Sequence, residues 1–524
     1  MLTQHGLELA FQLITAHFGD LVAKVCKCLL HKGTLSLEEL IRHTKLERAQ
    51  LKNCLLVLIQ HNCVQAFNIE IQSGAGAAPK TVTQYMALFD NILHRMRFPK
   101  FLVIVAERFD KQCETLLEGL LQHGRLSLDQ IIDRAKQGNQ GNNDAHQANF
   151  IKLVDAHFVE RCPSSQPFVE LNNESAQPRR RGSKAAEVIE TVEQQAISAA
   201  APSETERFSV IACVGNDITL GEEAKEQFPS LQVGEKRKHE ALEMDDETMT
   251  AIGKKEVLWR ANFEEFVRCL RHKACVANVR SRMDVKTGTV LEAMLEATRS
   301  REKKVKEEES APLLMDTILE EVRRRPEGLE MTLEHVRAAL NQLGSYSSMG
   351  GTDGPYTVDL KNIIEVAQND EVESVVLKRY GREAYRIFRL LAKNGRLVET
   401  DRISDVTFVE KKEANKILFK LWKDDYLHME KLVLHMYGPP PFTLWKVNKE
   451  TLWEHVLDEM YHAALNINQR IAYELEQEHE VLQLPRDVLD EAQEKRINRI
   501  RQVKALLEAS LLRLDDALML FHDF

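Results

Sequence analysis

A helix–glycine–strand–helix phrase recurs along the chain and limits the folds that the chain can adopt. The phrase reads HKGTLSLEELIRHT from His31, HGRLSLDQIIDRA from His123 and NGRLVETDRISDV from Asn394. In the first copy an apolar helix stops at Lys32-Gly33, because glycine tolerates the left-handed conformation of a C-cap. Ser36 and Glu39 then have the spacing of a capping box. Each copy therefore predicts two helices joined by a short extended segment.

The residues after the first copy predict a third helix and a β-hairpin. Residues 46–61 place Leu51, Leu55, Leu58 and Ile59 on one helical face. The residues from Phe67 onward then alternate apolar and polar, SGAGAAPK reads as a loop, and TVTQYMA can return as a second strand. Three short helices and a hairpin make a winged helix, whose third helix enters the major groove in DNA-binding examples.

The same pattern predicts four winged helices in two pairs. In the second copy, ANFIKLVDAH would be the third helix and FVERCPSSQPFVEL the wing. In the fourth, VVLKRYGREAYRIFRLLAKNGRL is the expected first helix, KKEANKILFKLWKDDY the third, and LHMEKLVLHMYGPPPFTLWKV the wing. A more divergent third module would use LLMDTILEEVRRRPEG, TLEHVRAALNQL and the glycine-rich wing SYSSMGGTDGPYTVDL. Between the pairs, residues 172–250 predict a largely disordered linker with one short ordered piece at FSVIACV.

The segment from residue 449 onward has a different, heptad-like pattern. Ile500, Leu507, Leu514 and Phe521 lie seven residues apart, and Ile497, Leu511 and Leu518 follow an adjacent register. With Pro485 at the turn, this pattern predicts an antiparallel helical hairpin. The predicted fold class is mainly α with small β wings: four tandem winged-helix domains plus a C-terminal antiparallel coiled coil. The predicted boundaries are 1–85, 86–171, the 172–250 linker, 251–360, 361–448 and 449–524.

Composition and motifs exclude several classes of function. A formal net charge of -10 argues against a protein that coats nucleic acid through bulk positive charge, although a local basic patch remains compatible with it. The nine cysteines lack CxxC or zinc spacing, so we expect a reducing compartment, no metal and no cofactor. No signal peptide or long apolar run is recognised, so no membrane is expected. The motifs GxxxxGK[ST], HExxH and GxSxG do not occur, and we expect no catalytic residues.

Three groups of basic residues are candidate binding surfaces. Arg268, Arg271, Lys273, Arg280 and Arg282 form the densest, for which DNA phosphate contact and a merely exposed helix pair are equally plausible readings. Arg95, Arg97 and Lys100 form a thinner group, in which Phe98 and Phe101 more often belong to a core. The predicted third helix of the fourth module carries one stripe of lysines: Lys412, Lys416, Lys420 and Lys423. For this stripe a solvated face, or docking on an acidic protein surface, is favoured over binding of DNA phosphates. Two linker runs, PRRRGSK and KRK, suit import receptors or a DNA backbone.

Several phrases, in this order, resemble one family. They are HFGDLVAKVCKCLL, LVLIQHNCV, HRMRFPKF, FIKLVDAHFVERCP, VESVVLKRYGREAYRIFRLL and KKEANKILFKL. Together with the paired winged helices and the C-terminal helices, they resemble the large, TFIIE-alpha-related winged-helix subunit of RNA polymerase III. The resemblance covers almost the whole chain apart from the linker.

The resemblance implies a nuclear, non-catalytic polymerase subunit. It would dock on the clamp of the RNA polymerase III core with the two other subunits of the initiation heterotrimer and contact general initiation factors. It would touch DNA locally and help to open promoters of transfer RNA and 5S RNA genes. Two alternatives stay open. One is a protein-only scaffold of another nuclear assembly, and the other is a DNA-binding transcription factor, which would need a strongly basic recognition helix.

Overall fold

The computed structural model describes residues 3–71, 80–138, 143–164, 167–169, 191–210, 257–302, 304–345, 354–432, 442–483 and 490–524. Most of the loop SGAGAAPK, most of the 172–250 linker with both of its basic runs, the centre of SYSSMGGTDGPYTVDL and Pro485 lie outside these residues. Two compact units are present. The first comprises Met1–Leu55, Ala87–Ile104 and Phe263–Phe524, and the second Leu56–Met86 and Val105–Asn262.

The helices and strands are numbered in chain order. The helices are α1 (Gln4–Phe18), α2 (Asp20–Lys32), α3 (Leu37–Thr44), α4 (Arg48–Gln60), α5 (Phe89–His94), α6 (Phe98–Arg108), α7 (Lys111–His123), α8 (Leu128–Gly138), α9 (Asn143–Asp155), α10 (Val192–Ala200), α11 (Glu204–Arg207), α12 (Phe263–Arg282), α13 (Val285–Thr298), α14 (Met315–Arg323), α15 (Leu333–Gln342), α16 (Leu360–Tyr380), α17 (Arg382–Asn394), α18 (Thr400–Thr407), α19 (Lys411–Lys423), α20 (Lys449–Gln477), α21 (His479–Leu482) and α22 (Glu491–His522). The strands are β1 (Leu35–Ser36), β2 (Val64–Ile71), β3 (Lys80–Ala87), β4 (Leu126–Ser127), β5 (Val159–Arg161), β6 (Phe168–Val169), β7 (Leu258–Ala261), β8 (Val398–Glu399), β9 (His428–Leu432) and β10 (Phe442–Lys446).

The recurring phrase has the same local structure in its three copies. The helices α2, α7 and α17 are each 13 residues long, and each ends at a glycine with positive φ. A two-residue strand and a second helix follow in every copy. The Ser36–Glu39 capping box is confirmed, since the Ser36 backbone N–H donates to the Glu39 carboxylate at 2.8 Å and Ser36 Oγ accepts from the Glu39 N–H.

Two constraints require glycine at position 124, one conformational and one steric. Its φ is +79°, a region that is unfavourable for residues with a Cβ. A Cβ at this position would also lie 2.0 Å from the backbone oxygen of Gln60. That oxygen accepts a hydrogen bond from the Arg125 N–H at 3.0 Å, so the two segments are fixed at close range.

The helix predicted over VVLKRYGREAYRIFRLLAKNGRL is two helices, and the prediction of one is wrong. Gly381 adopts φ +88° and separates α16 from α17. Gly19, with φ +82°, separates α1 from α2 in the same way. In both places a glycine directly precedes a helix of 13 residues, so the first and fourth modules share an extra helix before this glycine.

The first predicted module has its expected elements. The helices α2, α3 and α4 are followed by the long strands β2 and β3, and these strands are neighbours in one sheet. The strand β6 extends this sheet, because it pairs in parallel with β2, with Asn68 opposite Phe168.

The second module has its three helices, but its wing differs from the prediction. The segment FVERCPSSQPFVEL does not form a hairpin: β5 and β6 lie in different sheets. The antiparallel partner of β5 is β7, from beyond the linker, with Glu160 opposite Arg260. In turn, β7 pairs with β4, so the sheet order is β4-β7-β5. Trp259 on β7 is fully buried against Phe150, and this strand therefore belongs to the second module rather than to the predicted 251–360 domain.

The linker contains ordered helix where it is described. Residues 191–210 include α10, which Thr191 and Gln194 cap reciprocally, and the short α11. The helix α10 packs on β6 and β2 in the second unit. Only the beginning of the predicted FSVIACV piece is described.

The third predicted module is a helical core with little β structure in its described part. The helices α13, α14 and α15 pack around Val290, Met294, Ile318, Val336 and Leu340. At the predicted wing, Leu313 and Glu309 form isolated bridges with Tyr356 and Asp359. The long helix α12 packs on α13 and on α16.

The fourth module is a winged helix. The helices α17, α18 and α19 pack on one another, and the sheet order is β8-β10-β9. Trp445 on β10 is fully buried, and its Nε1 donates to Thr400 Oγ1 at 2.9 Å, which joins the wing to α18. The second module has the same sheet order, with β7 in the position of β10.

The last helices form the predicted antiparallel pair. Glu478, the C-cap of α20, binds Arg496 on α22 at 2.6 Å, and Tyr461 lies 2.9 Å from His522, so the two helices run in opposite directions. The helix α1 also packs along α20, and α22 packs on α16. Ile500 is buried, whereas Leu507, Leu514 and Phe521 are half-buried; Leu511 and Leu518 of the adjacent register are buried. A coiled-coil seam and four tandem domains therefore stay predictions.

Candidate partner and nucleic-acid interfaces

The predicted lysine stripe on α19 is on the surface. Lys412, Lys416, Lys420 and Lys423 are all exposed, while Ala414, Leu418 and Leu421 face the core. Lys416 pairs with Glu413 at 3.0 Å, and Lys420 Nζ lies 5.1 Å from the ring centroid of Tyr380. The four lysines therefore form a positively charged surface, whose charge the Glu413 carboxylate partly offsets.

Exposed aromatic side chains accompany these lysines. Phe419 is 44% and Trp422 41% exposed, and their ring centroids are 6.3 Å apart. Phe419 also meets the buried Trp445 edge-on at 5.2 Å, which orients it. Phe408, at the turn before α19, is 91% exposed. An exposed aromatic pair beside cations suits a binding surface better than a merely solvated helix.

The five basic residues of the predicted group at 268–282 all lie on α12, but they do not form one patch. Arg271 is buried and donates to the backbone oxygens of Val305 and Glu307, the former at 2.9 Å. Arg268 is buried between Glu265 and Glu302. Burial argues against direct phosphate contact by either arginine, and it lowers the pKa of Arg271.

The other members of that group lie nearer the surface, but acidic residues neutralise two of them. Arg280 is half-buried and contacts Glu292 and Glu327, both at 2.9 Å. Arg282 lies 3.3 Å from Asp370, and Lys273 is exposed. These carboxylates come from other parts of the chain, so the sequence around the basic residues does not show that they offset the positive charge.

The group around Arg95 makes ion pairs and ring contacts within the fold, and its burial argues against the predicted DNA contact. Arg97 is fully buried: its Nε donates to Asp515 Oδ1 at 3.0 Å, and its Nη2 lies 2.7 Å from Asp523. Lys100 contacts Asp515 and Asp516, each at 2.7 Å. Arg95 is largely buried between the rings of Phe18 and Phe98.

These ion pairs shift the titration of nearby groups. Burial opposes the charged form of Asp523, yet Arg97 and His522 hold its pKa below the usual value. Burial, followed by the charge of Arg97, lowers the pKa of His94 to about 4. Asp515 lies on α22 between Leu514 and Asp516, outside both heptad registers, and no local sequence pattern marks it as buried.

A basic stripe on α17 was not singled out from the sequence. It consists of Arg382, Arg386, Arg389 and Lys393, all exposed, and we call it the α17 stripe. The helix periodicity of REAYRIFRLLAKN could have shown it, because Ala384, Ile387, Phe388 and Leu391 take the opposite, buried face.

The residues that the structure describes contain neither a candidate metal site nor a candidate membrane span. They contain no group of three or more His, Cys, Asp or Glu side chains placed to hold a metal ion. None of their helices combines the length and the apolarity needed to cross a membrane.

Comparison with known proteins gives matches along most of the chain. The model of "RNA polymerase III subunit RPC82" matches residues 148–367, and that of its helix-turn-helix domain matches residues 8–68. The "POLR3C, C-terminal winged-helix domain" model matches residues 372–434, which span α17, α18 and α19.

Full-length relatives support the same grouping. The chain is similar to the DNA-directed RNA polymerase III subunit RPC3 of Homo sapiens, with 23% identity over 92% of this chain and 86% of the relative. The Danio rerio protein of that name is 24% identical over 92% and 87%. The Dictyostelium discoideum protein is 22% identical over 99% of both chains.

Proposed function

The chain belongs to the RNA polymerase III subunit RPC82 family, and from this membership we propose that it is a non-catalytic subunit of RNA polymerase III. The similarity over 92% or more of its length to proteins named as such subunits carries the proposal. As such a subunit it would work in the nucleus.

In finer detail, we propose that the chain docks on the polymerase clamp with two partner subunits. In this position it would assist general initiation factors in opening promoter DNA at transfer RNA and 5S RNA genes. The exposed α19 lysines with Phe419 and Trp422 support a docking role, because cations beside aromatic side chains suit an acidic protein surface.

Purification of the tagged chain from cells, followed by identification of its stable partners, tests the first statement. Recovery of the RNA polymerase III core with the chain in stoichiometric amount is expected. Recovery of a different nuclear assembly, or of the chain alone bound to DNA, would replace the proposal by the scaffold or transcription-factor alternative.

The docking role of α19 is tested by charge reversal in the reconstituted complex. The variant K412E/K416E/K420E/K423E should dissociate from the complex at lower salt than the wild type, because opposed charges are lost. The matched variant K412R/K416R/K420R/K423R retains the charges and should behave as the wild type. Equal salt resistance of all three proteins would remove α19 from the interface.

Local DNA contact is tested at Lys273 and Arg282, the exposed members of the α12 group. Reversal at Arg271 would be uninformative because that side chain is buried in the fold. The variant K273E/R282E should give less open promoter complex in permanganate footprinting with unchanged subunit assembly, whereas reversal of the exposed Lys286 serves as the control. Unchanged promoter opening in K273E/R282E would exclude this contact.

A further inference from the structure

We propose that the α17 stripe is a docking surface for an acidic helical segment of another protein in the same assembly. The inference depends on the proposed function only for the identity of that assembly. The α17 stripe consists of four residues at intervals of four, three and four positions: Arg382, Arg386, Arg389 and Lys393. At 100° per residue these positions fall within an arc of about 60°, and they span roughly 17 Å along the axis.

The stripe is largely without partners in the part of the chain that the structure describes. Arg389 lies 3.8 Å from Glu373 and donates to the Tyr385 hydroxyl at 2.6 Å. Arg382, Arg386 and Lys393 are exposed and have no ion pair or hydrogen bond with a described side chain. Like charges at i and i+4 repel each other on a helix, so this row is destabilising until an external anion neutralises it.

The fold itself does not require these cations. The matching helix α2 has the same length and glycine boundary, and its corresponding positions are Asp20, Lys24, Lys27 and His31. In α7 the corresponding positions are Lys111, Thr115, Glu118 and Gln122. Of these three corresponding helices, only α17 has a Lys or Arg at all four positions.

The surroundings of the stripe favour a protein ligand over a nucleic acid. Half-buried Leu390 borders it on one side, and half-buried Tyr385 and Ala392 border it on the other. Glu383, exposed on the same helix, and Glu373 add negative charge nearby. Duplex DNA presents phosphates over a broad surface and would meet these carboxylates and apolar side chains.

A helix with carboxylates at i, i+4, i+7 and i+11 matches the stripe better. The carboxylates of such a helix would be spaced along its axis as the cations of the α17 stripe are. The apolar side chains beside the stripe could then pack against apolar side chains of the partner helix. Arginine also suits carboxylate ligands, because its guanidinium can bind both oxygens at once. Charge complementarity along one line, with an apolar border, therefore identifies the partner chemistry.

A photo-cross-linker at position 386 tests the inference directly. The full chain with p-benzoylphenylalanine in place of Arg386 is incorporated into the purified assembly, irradiated and analysed by mass spectrometry. A cross-link to a protein segment with several acidic residues at helical spacing is expected. The same probe at position 24, the corresponding position of α2, is the control and should not reach that segment.

A charge exchange provides the second measurement. The variant R386E/K393E should bind a peptide of the cross-linked segment roughly tenfold more weakly, since two exposed ion pairs become repulsive. Reversal of the facing acidic residues in the peptide should restore binding, and the α2 variant K24E/K27E should bind as the wild type does.

The outcomes separate this inference from the proposed function. A cross-link from position 386 to nucleic acid, to a segment without acidic residues, or to nothing would overturn the docking inference while the chain still purifies with the polymerase. Purification with another assembly would overturn the proposed function, and the same cross-link can then be sought in that assembly.

Discussion

Arg97 and Asp515 are 418 positions apart in the chain, yet their side chains meet at 3.0 Å in the interior of the first unit. Both side chains are essentially without solvent exposure, and Asp523 completes the group at 2.7 Å from Arg97. A buried charge of this kind is tolerated only where its partners are in place. The pairs therefore fix the end of α22 to the segment that begins with α5.

Removal of Arg97 should destabilise the protein strongly. In R97A the carboxylates of Asp515 and Asp523 remain buried without their partner, and we expect the free energy of unfolding to fall by about 3–5 kcal/mol. Chemical denaturation of the full chain measures the change. The variant K100A should lose less, because Arg97 still binds Asp515; a larger loss in K100A than in R97A would contradict this account.

Acid should weaken the first unit through His94. Its folded pKa of about 4 lies below the ordinary histidine pKa of 6.5, so between these values the unfolded chain binds more protons than the folded one. The contribution is complete above pH 6.5 and is lost as the pH falls towards 4, by up to about 3 kcal/mol. Urea unfolding across this window should show a smaller pH slope in H94Q, and an unchanged slope would refute the assignment.

The substitution G124A should lower the free energy of unfolding more than G395A does. Both glycines have positive φ, but only the Cβ at 124 would collide with a backbone oxygen, that of Gln60, whereas nothing lies within 4 Å at 395. We expect G395A to lose about 1 kcal/mol through conformational strain and G124A clearly more. Thermal unfolding of both variants measures the difference, and equal losses would show that the close approach is relieved cheaply.

Loss of the Trp259 side chain from β7 should weaken the pairing of β7 with β5. In W259A the cavity beside Phe150 should cost about 3–5 kcal/mol, and the hydrogen bonds between β7 and β5 should open more often. Hydrogen exchange at the amides of Val159–Arg161 reports this opening. The variant W445A, in the fourth module, is the control and should leave exchange at these amides unchanged.

The local features of the fold could be predicted from the sequence because they depend on neighbours in the chain. The glycine at the end of each repeated helix, the Ser36–Glu39 capping box and the first wing all follow from short-range patterns. The lysine stripe of α19 was likewise predicted on an exposed face, because Ala414 and Leu418 mark the opposite one.

The features that the sequence did not reveal depend on distant partners. Arg97 looks like a surface cation until Asp515 and Asp523 are known to face it. The segment after FVERC looks like the returning strand of a hairpin, but it pairs with β2 instead. The strand within FVERC has its antiparallel partner some hundred positions further along, as the pairing of Glu160 with Arg260 shows. No periodicity within one segment carries that information.

The pairing of β7 with β4 and β5 imposes an order on biosynthesis. As the polypeptide leaves the ribosome, the strands β4 and β5 emerge well before Leu258–Ala261. The central position between them therefore stays vacant while the whole intervening stretch is translated. A nascent chain of this protein exposes open strand edges for that interval, and shielding by a chaperone would be most useful then.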